Sequence, residues 1–453
     1  MTLSENTHNA TEPMSPAPRA WRPLIARLHF YAGVLVAPFI LVAAVTGGLY
    51  ALSPTIERFV HADELHVEPS GTPLPIHDQV AAAAAAFPGL TVTGLRPAAN
   101  GTDSTRVYIS DPALDDEHRR AVFVDPYTGR VLGDEVTWFG YLPLSTWLDG
   151  LHRHLNLGEP GRIYSEIAAS WLWVVALGGL YLWVARAARQ RVRTGRVRLL
   201  TVDRRAAGRS RTLNWHGATG VWLLAALLFL SATGITWSTY AGAHVTELRS
   251  ALNWERPQLD SALPTAGTEI PDSAIDHDAV VRAAQWAGVH FPVEITLPSA
   301  PGEGVAVTEI DKPYRLTTNA ATVDPADLTV TSTVDYWRDY SLMAKLADWG
   351  IRAHMGFLFG LLNQLLLFGV AVGLVAVIVH GYRMWWQRRP TRGTDWAVGR
   401  PPSRGALRRL HPAGIALLAA GTLAVGWFLP LLGIPLAGFL VADIAIGMMR
   451  RRR

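Results

Sequence analysis

The sequence predicts a mainly α-helical integral membrane protein. Its core is four transmembrane helices, built from two parallel repeats of helix, external domain and helix, with a C-terminal transmembrane hairpin appended. Three observations predict this. Apolar runs long enough to span a bilayer recur along the chain. The segments between them alternate between Arg-rich and acid-rich. And the second half of the chain repeats the first.

The composition sets the class. Of 453 residues, 49% are apolar and only 17% charged, less charge than a soluble enzyme of this length carries. There is no cysteine. That excludes disulfides, all-Cys iron–sulfur clusters, C-x-x-C-H haem attachment and thiol nucleophiles. A haem would have to be non-covalent and ligated by His or Met.

In chain order, residues 1–23 read as a polar, Pro-rich, disordered tail with no signal-peptide core. The first span is 24–52, followed by an external domain over 53–164 and a second span over 165–186. A cytoplasmic loop, 187–212, leads to the third span, 213–239. A second external domain, 240–351, precedes the fourth span, 352–384, and a further loop covers 385–410. Residues 411–449 read as two short spans hinged at Pro430. The loop "RAARQRVRTGRVRLLTVDRRAAGRSR" holds ten Arg and one acid, and the chain ends in four Arg. The positive-inside rule therefore places these loops and both termini in the cytoplasm, with the acid-rich segments outside the inner membrane. Arg runs also suit nucleic acid, but these abut membrane spans, where lipid headgroups are the expected partner and nucleic acid is not.

The repeat is read by aligning "LHFYAGVLVAPFILVAAVTGGLY" with "WHGATGVWLLAALLFLSATGITW". His29 then meets His216, Gly33 meets Gly220, and Thr46-Gly47 meets Thr233-Gly234. Aligning His152 with His354 brings Gly158 onto Gly360, Gly179 onto Gly381 and Trp183 onto Trp385. His154 and His380 have no counterparts. The external segments match more loosely. "HDQVAAAAAAFPGLTVTGLRP" resembles "HDAVVRAAQWAGVHFPVEITLPS", each an amphipathic helix running into a strand. "AVFVDPYTGRVLGD" resembles "AATVDPADLTVTSTV", each a strand, an Asp-Pro turn and a strand, although the second lacks the Thr-Gly.

A span with H-x-x-x-G, an external "VDPYTGRVLG", then "LHRHLNLGEPGR" before a span ending "LYLW", given twice over about residues 24–390, resembles the PepSY-associated transmembrane proteins. These include iron-regulated membrane proteins of the ferric-siderophore reductase type. The resemblance implies that the external segments are PepSY-like domains and that a b-type haem sits within the four-helix core.

Four histidines obey the repeat. By topology His29 and His216 lie near the cytoplasmic ends of the first and third spans, and His152 and His354 at the outer ends of the second and fourth. A pseudo-twofold axis would pair them, one pair per membrane face, as bis-His ligation of two haem irons needs. The 17 residues from His29 to Thr46 rise about 26 Å as helix, enough to separate two haems across the bilayer. His380 is the alternative inner ligand, in place of His29 or His216. Without haem, a histidine at a helix end is interfacial or bonded to a loop carbonyl. His154, Arg153 and Arg162 are candidates for propionate contacts, with headgroups as the competing partner. Asn363 and Gln364 read as interhelical glue. Asp443 is either a proton relay or pairs with the Arg-rich terminus beside it.

No G-x-G-x-x-G follows a strand and no P-loop is present, so electrons must come from a cytoplasmic donor or a membrane quinol. The leading expectation is a haem-dependent reductase passing electrons outward to a ferric chelate, in the resembled family a ferric siderophore. The alternative is a PepSY-domain protein that binds or regulates an extracytoplasmic partner such as a peptidase, without redox chemistry. No catalytic side chain beyond the haem ligands is expected.

Overall fold

A computed structural model describes residues 18–115, 117–195, 198–264, 274–389, 402 and 411–449. Residues 1–17 of the expected tail, most of the 385–410 loop and the terminal Arg run lie outside the described residues. The tail ends sooner than expected, because helix α1 (Pro18–Leu35) already starts at Pro18. Proline suits a first turn, where its missing N–H would have had no partner.

The first span is two helices, α1 and α2 (Ala37–Val60), meeting at Val36. The cause is Pro38, which offers no N–H to the carbonyl of Val34. The Tyr382 hydroxyl donates to that carbonyl instead, at 2.9 Å. The rest of the first half comprises α3 (Ala62–Leu65), α4 (Ile76–Ala86), β1 (Thr91–Arg96), β2 (Thr105–Ser110), β3 (His118–Val124), β4 (Val131–Trp138), α5 (Pro143–His154) and α6 (Glu159–Thr194). The second half begins with α7 (Gly208–Thr236), α8 (Tyr240–Ala251), α9 (His277–Trp286) and β5 (Val293–Thr296). It continues through β6 (Val305–Glu309), β7 (Ala320–Val323), β8 (Val330–Val334), α10 (Tyr336–Asp339), α11 (Leu342–His354) and α12 (Gly360–Trp386). Among the described residues, α2, α6, α7 and α12 are long and apolar enough to cross a membrane.

Two boundaries differ from expectation in a way that matters below. The fourth span starts at Gly360, not at 352, because Gly356 (φ 88°) and Gly360 (φ 56°) break the helix. The second span is likewise preceded by a break, with Leu155, Asn156 and Gly158 at positive φ. His152 and His354 therefore end separate short helices, α5 and α11, and are not on the spans themselves.

The external segments were expected as two domains. Their strands form one eight-stranded antiparallel sheet, ordered β4-β3-β2-β1-β5-β6-β7-β8. Left apart, each half would expose an unpaired edge, β1 or β5. Joined, the two edges satisfy each other, with Gly94 opposite Thr296 and Leu95 opposite Ile295. A single core crosses the seam, combining Leu95, Val107 and Val122 with Val280, Ile295 and Val307. The seam also carries charge. Glu294 accepts from Arg96 at 2.7 Å and from Arg119 at 2.8 Å.

Both Asp-Pro turns form. Asp125 accepts from the Tyr127 amide, and Asp324 from the Ala326 amide. Gly129 (φ 71°) holds the left-handed position in the first turn. Leu328 (φ 62°) takes the same place in the second, so the turn persists without its glycine.

The chain falls into two compact units. One contains α1, Ile167–Leu228 and the chain from Ala376 on; the other contains Leu41–Glu166 and Phe229–Val375. Within the first, the C-terminal helices α13 (Pro412–Phe428) and α14 (Pro430–Met449) turn at Leu429. Trp21 and Leu24 of α1 pack against Leu418, Phe439 and Leu440 of this hairpin. Asp443 pairs with Arg27 at 2.5 Å, both buried, so its partner comes from α1 and not from the terminal Arg run that was expected.

Candidate functional site

Each unit holds one pair of repeat-related histidines. In the first unit, His29 of α1 and His216 of α7 face each other with ring centres 6.3 Å apart and planes at 77°. His29 Nδ1 lies 3.0 Å from the carbonyl oxygen of Val175 on α6. His216 Nδ1 lies 2.9 Å from that of Val377 on α12. A carbonyl only accepts, so Nδ1 carries the hydrogen in both rings. That leaves each Nε2 with its lone pair, the state of a metal-ligating imidazole.

A glycine eases the packing of His29: a Cβ on Gly179 would come within 3.0 Å of its ring, whereas one on Gly381 would make ordinary contact with the His216 ring at 3.6 Å. Gly33 and Gly220 lie four residues after His29 and His216, on the same helix faces. A Cβ at either would meet nothing within 4 Å.

In the second unit, His152 and His354 have ring centres 6.4 Å apart, at 50°. Here Nδ1 meets a threonine. His152 Nδ1 is 3.1 Å from Thr46 Oγ1 on α2, and His354 Nδ1 is 2.5 Å from Thr233 Oγ1 on α7. Each threonine hydroxyl also lies within hydrogen-bond distance of a carbonyl of its own helix, Thr46 of Val42 at 2.8 Å and Thr233 of Phe229 at 2.9 Å. With the hydroxyl hydrogen on that carbonyl, the oxygen accepts from the ring and Nε2 keeps its lone pair. Gly47 leaves no room for a side chain, since a Cβ there would sit 2.8 Å from His152 Cε1.

The helices carrying this pair are anchored at their other ends. The buried Glu57 carboxylate accepts from the Ser145 amide at 2.7 Å and its hydroxyl at 2.6 Å, in the first turn of α5. A negative charge there suits the helix dipole. Ser341 caps α11 by accepting from the Ala344 amide, and Arg352 on the same helix pairs with Asp311 at 2.8 Å. Asn363 donates to the Ala353 carbonyl, and Gln364 accepts from Thr55. Both glue helices together as expected, but from the first turn of α12.

The unmatched candidates sit differently. His380 turns its Nδ1 to the Ala376 carbonyl of its own helix, at 2.6 Å. His154, at the end of α5, has a buried Nδ1 without a hydrogen-bond partner. Arg162 donates to Thr239, and Arg153 lies over the Trp138 ring beside Asp149. The repeat flagged Thr46 and Thr233 without a role for them. It gave no signal for the Val175 and Val377 carbonyls, because any side chain offers the same backbone oxygen.

Membrane-spanning helices and an antiparallel sheet domain define an integral membrane protein, mainly helical. The chain belongs to the PepSY-associated TM region family, whose model matches residues 26–388. That match runs from α1 to the end of α12 and stops before the C-terminal hairpin. No curated protein matches the chain.

Proposed function

We propose that this protein is a transmembrane b-type haem protein that passes electrons across the cytoplasmic membrane to an extracytoplasmic ferric chelate, of the siderophore class. His29 with His216, and His152 with His354, would each hold one haem iron. The observation that carries this reading is the placement of the four rings: they stand in two facing pairs, and each Nδ1 lies at hydrogen-bond distance from a fixed oxygen, which leaves Nε2 as the ligand atom. The spacing fits as well. Two imidazoles on opposite sides of one metal, bonded at about 2.0 Å each, place their ring centres about 6 Å apart. The pairs stand at 6.3 and 6.4 Å. The open space beside Gly33 and Gly220 suits a flat macrocycle.

Bound haem supplies one-electron iron chemistry. The chain's own residues fix ring tautomer and orientation and surround the rings with apolar helix. The Arg-rich connectors support cytoplasmic termini, with the sheet domain outside an inner membrane. A quinol would release two electrons and two protons, reducing two ferric centres; a cytoplasmic reductant is the alternative donor. Each Fe(III) accepts one electron and becomes Fe(II), which is held less tightly by hard oxygen donors.

The test is the absorption spectrum of protein purified from haem-replete cells, oxidised and dithionite-reduced, with haem stoichiometry by pyridine haemochrome. Two haems per chain, with low-spin bis-imidazole bands, are expected. Protein without a Soret band overturns the reading and leaves the partner-binding function.

A further inference from the structure

The two histidine pairs differ in what holds them. His29 and His216 donate to backbone carbonyls, and His152 and His354 set Nδ1 against threonine hydroxyls. The difference follows the repeat on both sides. Val175 and Val377 stand 202 residues apart, as do His152 and His354, while Thr46 and Thr233 stand 187 apart, as do His29 and His216. The repeat therefore carries one kind of acceptor with each pair, and His152 has the Ala43 carbonyl near it as well.

The nature of that acceptor matters to a bound metal. The more strongly Nδ1–H is drawn toward its acceptor, the more electron density Nε2 delivers and the better it stabilises the oxidised ion. An amide carbonyl is a stronger acceptor than an alcohol oxygen. We infer that Thr46 and Thr233 are positioning residues that set the His152–His354 iron at a higher reduction potential than the His29–His216 iron, so that electron transfer from the second of these sites to the first runs downhill. With the orientation proposed above, downhill is outward. This rests on the haem reading. His152 has a second acceptor within reach, the Ala43 carbonyl, whereas His354 has Thr233. The contrast is therefore strongest at Thr233.

The experiment is a spectroelectrochemical titration of the full-length haem-loaded protein, with Thr233→Val, Thr46→Val and Thr233→Ser. Wild type should titrate as two components. Thr233→Val removes an acceptor while keeping the side chain's shape, so it should raise the higher component and leave the lower one in place. Thr46→Val leaves His152 the Ala43 carbonyl, so it should move the higher component less than Thr233→Val does. Thr233→Ser, which keeps the hydroxyl, should return the wild-type value. A single wild-type potential, a Thr233→Val shift in the lower component, or a downward shift in Thr233→Val would overturn the inference while leaving the haem reading intact. If Thr233→Val loses haem, Thr233→Cys, whose thiol is a weaker acceptor, decides by the direction of its shift. Absence of haem from the wild type is the separate failure of the haem reading.

Discussion

Gly94 on β1 lies against Ile295 on β5 so closely that a Cβ on it would come within 2.5 Å of the Ile295 carbonyl oxygen. The obstacle is backbone in the middle of a sheet, which cannot swing aside as a side chain can. This contact sits at the one junction where the two repeats of the external segment become a single sheet. Gly94→Ala should therefore act on the seam and not merely on its own strand. It is expected to cost about 1–3 kcal/mol, the range for overpacking a filled site. The measurement is thermal unfolding of the purified protein followed by far-UV circular dichroism. An unchanged midpoint would mean that the seam opens without cost.

The same seam has a pH dependence whose sign follows from its charges. Burial alone would raise the Glu294 carboxyl, but Arg96 and Arg119 outweigh it and hold the group below the usual carboxylate range. A folded value below the unfolded one means that the charge stabilises the fold at neutral pH. That stabilisation is lost as pH falls through the folded value. Glu294→Gln should lower stability by about 1–3 kcal/mol near neutrality, the range for hydrogen bonds to charged partners. Its deficit should shrink as the wild type is acidified below about pH 4. Melting curves of both proteins across that range decide it; a deficit that stays constant at low pH would place the effect elsewhere.

Much of this architecture was legible in the residues, for physical reasons. Span-length apolar runs are a requirement of the bilayer, so α2, α6, α7 and α12 were readable from hydropathy. The Asp-Pro turns were readable because Asp125 and Asp324 use their own side chains to close them. The single sheet was not. Whether β1 and β5 pair with each other or end in solvent depends on a contact between residues some 200 apart, and Gly94 looks like any strand glycine in sequence. The breaks before Gly158 and Gly360 were aligned by the repeat but their meaning was hidden, so His354 was expected within the fourth span. At the site, His29, His152, His216 and His354 stood out by symmetry. Their acceptors did not, since two are backbone oxygens and two are threonines that serve equally well as ordinary helix residues.

Arg27 and Asp443 form a buried pair two residues before His29, and Asp443 belongs to the hairpin outside the family match. Removing one partner of a buried pair leaves a charge without compensation, at a cost of about 3–5 kcal/mol. Asp443→Ala should therefore destabilise the protein strongly. Arg27→Met combined with Asp443→Leu should recover most of the loss, because apolar replacement of a whole buried pair is often neutral. Thermal melting in detergent compares the three. A double variant no better than Asp443→Ala would show that the pair does more than neutralise itself.

The last prediction separates the histidines from one another. His152 and His354 reach threonines from paired rings, while His154, two residues on, has a buried Nδ1 without a hydrogen-bond partner. His380 is turned to its own helix at Ala376. Under the haem reading, His152→Ala and His354→Ala should each remove the same one of two haems. His29→Ala and His216→Ala should each remove the other. Haem content per chain should fall by about half in all four variants, because each iron needs both of its imidazoles. His154→Ala and His380→Ala should keep the full complement. Pyridine haemochrome stoichiometry, paired with the reduced-minus-oxidised spectrum, reads both numbers at once. Loss of haem in His380→Ala with retention in His29→Ala or His216→Ala would mean that α12 supplies a ligand which the paired geometry assigns to α1 and α7.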